Sequence, residues 1–133
     1  MAANTNPIFG LVPVCKTAQI STANTNRDGT GTLGSVVTGA ADGTRIDRIV
    51  IKASGTTTAG MVRIFVDTGG TIVLVAEIPV LAITPSGTIK TFEAELVRYD
   101  GLPWVVLASG QVLKAGTHNA EGFNITAHGS DYS

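Results

Sequence analysis

Apolar residues recur at every second position in several short segments of this 133-residue chain. Residues 92–96 and 123–127 are clear examples, because their apolar members alternate with charged or polar side chains. Successive side chains of a β-strand point to opposite faces, so this period predicts half-buried strands. Segments rich in Gly, Thr, Asn and Asp separate the strands and are typical of turns. No window keeps a helical period over more than two turns, and the pattern therefore predicts an all-β fold.

The spacing of these segments predicts a single-domain antiparallel β-sandwich of about eight strands. The predicted strands are residues 12–20, 32–38, 45–53, 61–66, 71–78, 88–99, 104–108 and 122–128, with a short additional segment at 111–113. A chain of this length can bury a two-layer core. Strand number alone leaves the topology open between a sandwich and a barrel, and within that class we expect a jelly roll.

An extended N-terminal arm over residues 1–12 is predicted to precede the β-sandwich domain of residues 13–133. Ile8, Phe9 and Leu11 lie in this arm and are apolar, whereas segments that stay in water are usually polar. We therefore expect Ile8, Phe9 and Leu11 to contact their own sandwich, a sister subunit or another partner.

Two predicted strands, 61–66 and 71–78, carry apolar residues on both faces. Strict alternation places Met61 and Phe65, and likewise Val73 and Val75, on the second face of each strand. A sandwich buries only the inner face of each sheet, so these four side chains need cover from the arm, a loop or another subunit. Another subunit is the favoured interpretation, since burying them would contribute roughly 1.5–3 kcal/mol each. The total is comparable with the estimated cost of association of about 4–15 kcal/mol.

Composition narrows the classes of partner. Charged residues make up only 14% of the chain, against about 25% in an ordinary soluble domain, which predicts that part of the surface is covered by another chain. The formal net charge is −1, and the nine Lys and Arg residues form no basic stripe, so we expect no direct contact with nucleic acid. No apolar run approaches the ~20 residues of a membrane span, and the N-terminus lacks the features of a signal peptide. We expect no membrane association and folding in a cytoplasm.

One motif resembles a catalytic loop. Asp67-Thr68-Gly69 follows two apolar residues, as in the active-site loop of retropepsin-like aspartic proteases, whose two subunits each supply one aspartate. The next residue is Gly70, where that family usually has Ala or Ser. The favoured interpretation is a hairpin turn, because Asp and Gly are typical turn residues. A protease that uses Asp67 remains an alternative.

The other reactive residues stand alone. Cys15 has no partner for a disulfide, and we expect it to be a small buried side chain. His118 and His128 have no nucleophile or acidic residue at a diagnostic spacing. Trp104 follows Pro103 and suits either packing, which is favoured, or a sugar site. We therefore expect no catalytic residue, no metal site and no cofactor, and we predict that the protein is not an enzyme.

Two segments resemble small structural proteins encoded among the virion genes of tailed bacteriophages. They are residues 45–65, RIDRIVIKASGTTTAGMVRIF, and residues 119–132, NAEGFNITAHGSDY, and the turn-rich DGTG at residues 28–31 adds to the likeness. The resemblance implies a virion component, namely a capsid decoration or cement protein of jelly-roll type, and no functional residue carries over with it.

From the resemblance and the surplus apolar faces we expect a homo-oligomer, namely a trimer, that binds the major capsid protein. It would stabilise the outside of the head by bridging capsid subunits, and it would be located in the virion after synthesis in the host cytoplasm. A tail module that binds a receptor or glycan through Trp104 is the second alternative, beside the protease.

Overall fold

The computed structural model describes residues 10–132, which contain nine β-strands and no helix. The strands are β1 (Val12–Ile20), β2 (Gly34–Thr38), β3 (Thr44–Ala53), β4 (Gly60–Asp67), β5 (Ile72–Val80), β6 (Glu93–Val97), β7 (Val105–Leu107), β8 (Val112–Thr117) and β9 (Phe123–Asp131). The all-β prediction is confirmed. The predicted strand at 88–99 is shorter in the structure, and the segment at 111–113 is longer.

The strands form two antiparallel sheets that pack together as a β-sandwich, as predicted. The first sheet has the order β1-β9-β3-β6, and β7 pairs with β3 beside β6. The second sheet has the order β2-β8-β4-β5. Because β6 and β7 pair with successive parts of the same edge of β3, they act as one interrupted edge strand. In both sheets, strands that are far apart in the sequence are neighbours: β1 pairs with β9, and β2 pairs with β8.

The core lies between the two sheets and consists of aliphatic side chains from the inner positions of the strands. Its fully buried members include Ile46, Ile49, Ile51, Val62, Ile64, Leu107, Leu113 and Ile125. Phe92 and Phe123 close one region of the core with their rings edge to face, their centroids 6.4 Å apart. β-branched residues dominate because they suit a pleated surface that is buried on one side.

The loop of residues 21–33, called here the cover loop, folds over the outer face of the second sheet. Asn24 pairs its backbone N–H with the carbonyl oxygen of Thr117, 2.8 Å away, at the end of β8. A Cβ atom added at Gly29 would lie 2.7 Å from the Cβ of Ile72 in β5, and Gly29 has a φ of 86° that favours glycine. Because the cover loop touches both β8 and β5, it spans the strand between them, β4.

A β-bulge changes which face the residues of β5 occupy. Ile64 pairs with Ala76, whereas its neighbour Phe65 pairs with Leu74, so Val75 is left without a partner in β4. One extra residue reverses the facing of every residue beyond it. Leu74 therefore shares the outer face with Phe65, and Val73, which pairs with Val66, has the inner position.

The predicted arm lies mainly outside the described residues. Ile8 and Phe9 belong to residues 1–9, which with residue 133 are outside that range. Val12, the last residue assigned to the arm, is the first residue of β1. The backbone N–H of Leu11 continues the pairing, since it donates a 2.8 Å hydrogen bond to the carbonyl oxygen of Asp131.

Candidate functional site and interaction surfaces

Phe65 is covered by its own chain and is not available to another subunit. Its side chain is only 1% exposed, although it lies on the outer face of β4. Asn24 and Gly29 of the cover loop contact the sheet on either side of it, at Arg63 and Ile72. The favoured sequence interpretation is thus wrong for Phe65. Of the alternatives, cover by a loop is the one found.

The other predicted contact residues differ in exposure. Leu11 is 70% exposed, and Val73 and Val75 in β5 are 45% and 44% exposed. Met61 is half-buried on the outer face of β4, where its carbonyl oxygen accepts a hydrogen bond from the backbone N–H of His118. The exposed members fall into two separate places, the start of β1 and the edge strand β5.

The four sheet edges differ in their protection against pairing with another strand. In β1, Pro13 has no backbone N–H to donate and Lys16 adds an exposed charge, and both features disfavour pairing with another strand. The edge β2 has only five residues and an irregular register, and β6 and β7 form an interrupted edge. The edge β5 has nine residues and also contains Pro79, a bulge at Val75 and one charged side chain, Glu77, which is held by Arg27 of the cover loop. Val73 and Val75 are exposed apolar side chains on this long edge strand, which makes it a candidate interaction surface.

Pro79 limits this candidate surface at one end. Proline lacks a backbone N–H and cannot complete a pairing there. The free edge of β5 before Pro79 is residues 72–78, and the bulge at Val75 interrupts it.

A polar cluster lies beneath the cover loop, and sequence reasoning did not find it. Arg63 is 2% exposed, and its terminal nitrogens lie 3.3 and 3.4 Å from Nδ1 of His118. Its Nη1 donates to the carbonyl oxygen of Asn24, 3.4 Å away, and its Nε lies 3.5 Å from a carboxylate oxygen of Glu77. The one available sequence signal was Arg63 itself, a cation on the otherwise apolar second face of residues 61–66.

Asp67 occupies a hairpin turn. Its carboxylate accepts a 2.9 Å hydrogen bond from the backbone N–H of Gly69 and lies 3.1 Å from Nζ of Lys114. The Gly69 N–H, and after it Lys114, lower the pKa of Asp67 below its ordinary value of 3.8. Thr68 closes the turn by donating its N–H to the carbonyl oxygen of Thr71, 2.9 Å away. The geometry is that of the turn favoured from the sequence, and an ion pair with lysine differs from the aspartate pair that shares a proton in retropepsin-like enzymes.

The outer face of the first sheet carries charged side chains that pair with one another. A shallow groove of about 480 Å³ on this face is lined by Arg48, Val50, Glu93, Ala94 and Glu95. Arg48 lies 3.5 Å from Glu95 across the two strands. Lys90 and Lys52, in that order, lower the pKa of Glu93. The charged side chains around the groove are therefore already paired with one another.

Cys15 and Trp104 complete the predicted residues. The prediction that Cys15 is buried is wrong, because Cys15 is exposed on the edge strand β1, opposite His128 of β9. Trp104 is half-buried and packs against the core, which agrees with the favoured packing role.

Within residues 10–132, no group of three or more His, Cys, Asp or Glu side chains is placed to hold a metal ion. In the same range, no helix has the length and apolar character needed to cross a membrane.

Comparisons of the chain with protein-family models, with curated proteins and with solved structures find no match.

Proposed function

We propose that this chain is a bacteriophage capsid decoration protein, which binds the outside of the head and bridges capsid subunits as a homotrimer. The observation that carries the proposal is the long edge strand β5 with its exposed Val73 and Val75, in a chain with only 14% charged residues. A free apolar edge of this kind supports a role in adhesion to other protein chains. The likeness of residues 45–65 and 119–132 to phage virion proteins supplies the biological setting.

The strand order supports the jelly-roll part of the proposal. The antiparallel pairs are nested, since β1 pairs with β9, β2 with β8, β3 with β6 and β7, and β4 with β5. Nested pairs of this kind arise when one long hairpin is rolled up into two sheets, which is the arrangement of a jelly roll.

Two contact regions are assigned in this proposal. The edge β5 would contact a sister subunit, because Val73 and Val75 form a short apolar strip on a free edge. The exposed Leu11 at the start of β1 would contact the major capsid protein, together with Ile8 and Phe9 of the predicted arm. The two regions lie on different sheets, so one copy of the chain can engage both partners.

The test begins with the oligomer. Light scattering of the purified protein should give the mass of three 13.6 kDa chains, and Val75→Lys should give the mass of one. Gln19→Lys is the matched control, since Gln19 is an exposed residue of the other long edge strand, β1, and it should leave the trimer intact. A wild-type protein that remains a monomer at high concentration contradicts the β5 interface.

The capsid contact is tested separately. Shells assembled from the major capsid protein of the phage genome that encodes this chain are sedimented with the wild-type protein and with a variant lacking residues 1–11. The wild-type protein should sediment with the shells, and the shortened protein should stay in the supernatant with an unchanged circular dichroism spectrum. Sedimentation of both proteins removes the arm from the proposal, and sedimentation of neither removes the capsid.

A further inference from the structure

At the end of the first sheet where β1 begins and β9 ends, a row of four residues crosses the outer face. Strand pairing forms this row from Pro13 of β1, Ser130 of β9, Arg45 of β3 and Val106 of β7. The next residue of β3, Ile46, is fully buried, and side chains alternate along a strand, so the row faces outward. Val106 is 47% exposed, and the row therefore ends in an apolar side chain that is only partly covered.

This end of the outer face is more apolar than its middle. Beside the row, the ring of Tyr132 lies next to Gly43, because a Cβ atom added at Gly43 would be 3.4 Å from the ring. In the middle of the face, Thr17 and Thr126 share a 2.9 Å hydrogen bond, and charged side chains line the groove described above. The apolar end is thus a sheet surface that residues 10–132 leave partly open.

Gly10 leads the chain onto this surface. A Cβ atom added at Gly10 would overlap the Oγ and Cβ of Ser130, so the Gly10 backbone lies directly against that side chain. Pro13 already occupies the position beside Ser130 within the sheet. Gly10 must therefore lie above the sheet, on the outer face to which Ser130 points. Before Val12, the chain has left the edge strand β1 and lies over its neighbour β9, in the direction of β3 and β7.

The segment that precedes Gly10 has the length and the character to cover the apolar end. Adjacent strands lie about 4.8 Å apart, so β7 is roughly 10 Å from β9. An extended chain advances about 3.3 Å per residue, which brings Phe9 close to β3 and Ile8 between β3 and β7. Ile8 and Phe9 are both apolar, whereas segments that stay in water are usually polar.

We infer that the segment before Gly10 docks across the outer face of the first sheet of its own chain, where Ile8 contacts Val106 and the aliphatic stem of Arg45. The occupant is the same chain because consecutive Cα atoms are about 3.8 Å apart, so the position of Gly10 holds Phe9 beside this surface. Glycine is required at position 10, since any side chain there would prevent the close approach to Ser130.

A disulfide trap in the isolated protein tests the inference, because a disulfide forms only between residues whose Cα atoms come within about 7 Å. Cys15 is first replaced by serine, since it is exposed. Ile8→Cys is then combined with Val106→Cys, or with Val75→Cys on the other sheet as the matched control. Val106 and Val75 are 47% and 44% exposed, so the two thiols have similar access to the oxidant. Oxidation should join positions 8 and 106 within a single chain in most molecules, and the control pair should stay mostly reduced.

Labelling of tyrosines by hydroxyl radicals gives a second measurement that needs no new cysteine. The chain has two tyrosines, of which Tyr132 borders the apolar end and Tyr99 is 93% exposed. Removal of residues 1–9 should raise the labelling of Tyr132 and leave that of Tyr99 unchanged.

The inference is overturned if positions 8 and 106 are not joined, or if the control pair is joined equally well. A disulfide between two chains also overturns it and assigns the segment to a sister subunit. Unchanged labelling of Tyr132 after removal of residues 1–9 contradicts it independently. Both measurements use the protein without capsid, so their failure leaves the proposed capsid contact to its own sedimentation test.

Discussion

Phe65→Ala tests whether the cover loop or another subunit buries the outer face of β4. A buried Phe side chain removes roughly 150–250 Å² from water, and at about 25 cal/mol per Å² this is worth roughly 4–6 kcal/mol. Truncation to Ala keeps the Cβ, and measured costs for buried Phe are about 3–5 kcal/mol. Because Phe65 is 1% exposed within a single chain, we expect a loss of about 3–5 kcal/mol in the free energy of unfolding.

The assay is equilibrium unfolding in urea, monitored by circular dichroism at several protein concentrations. Val75→Ala is the control, since Val75 is 44% exposed and should change the free energy of unfolding by about 0.5 kcal/mol or less in the monomer. The loss caused by Phe65→Ala should be the same at every concentration, because burial within one chain does not depend on association. A loss below about 1 kcal/mol, or one that disappears on dilution, would refute the reasoning that the cover loop buries Phe65.

Two further predictions follow from the loop and the turn. Gly116→Ala places a Cβ 2.9 Å from the side chain of Leu33 and so should destabilise the protein and raise hydrogen exchange in residues 21–33, whereas Gly70→Ala, at a glycine with no neighbour within 4 Å, should not raise it. Asp67→Asn should flatten the acid side of the stability profile. Because the folded pKa of Asp67 lies below 3.8, its carboxylate stabilises the protein above that pH, and this contribution is lost as the pH falls through the folded pKa. Melting temperatures measured between about pH 2 and about pH 6 test this prediction. Equal losses of stability in the wild type and in Asp67→Asn as the pH falls would contradict it.

The sequence by itself determined the fold class and most of the strands, because the alternation of apolar and polar side chains is a local property of each segment. β1, β3, β4 and β9 begin within one residue of their predicted positions. The central strand β8 was predicted only as 111–113, since Lys114 and Gly116 interrupt its apolar pattern. Its full length follows from pairing with both β2 and β4, which no local pattern records.

Tertiary structure alone decided which apolar faces are covered. The bulge at Val75 arises from pairing between two strands, and it reverses the facing that strict alternation assigns to Val73. The polar sequence of residues 21–33 gives no sign that this loop lies over Phe65, because the contacts that hold it join residues 39 and 50 positions apart. Exposure of a side chain depends on what the rest of the chain places above it, and for this protein that arrangement is set by long-range pairing and by the buried Arg63 beneath the loop.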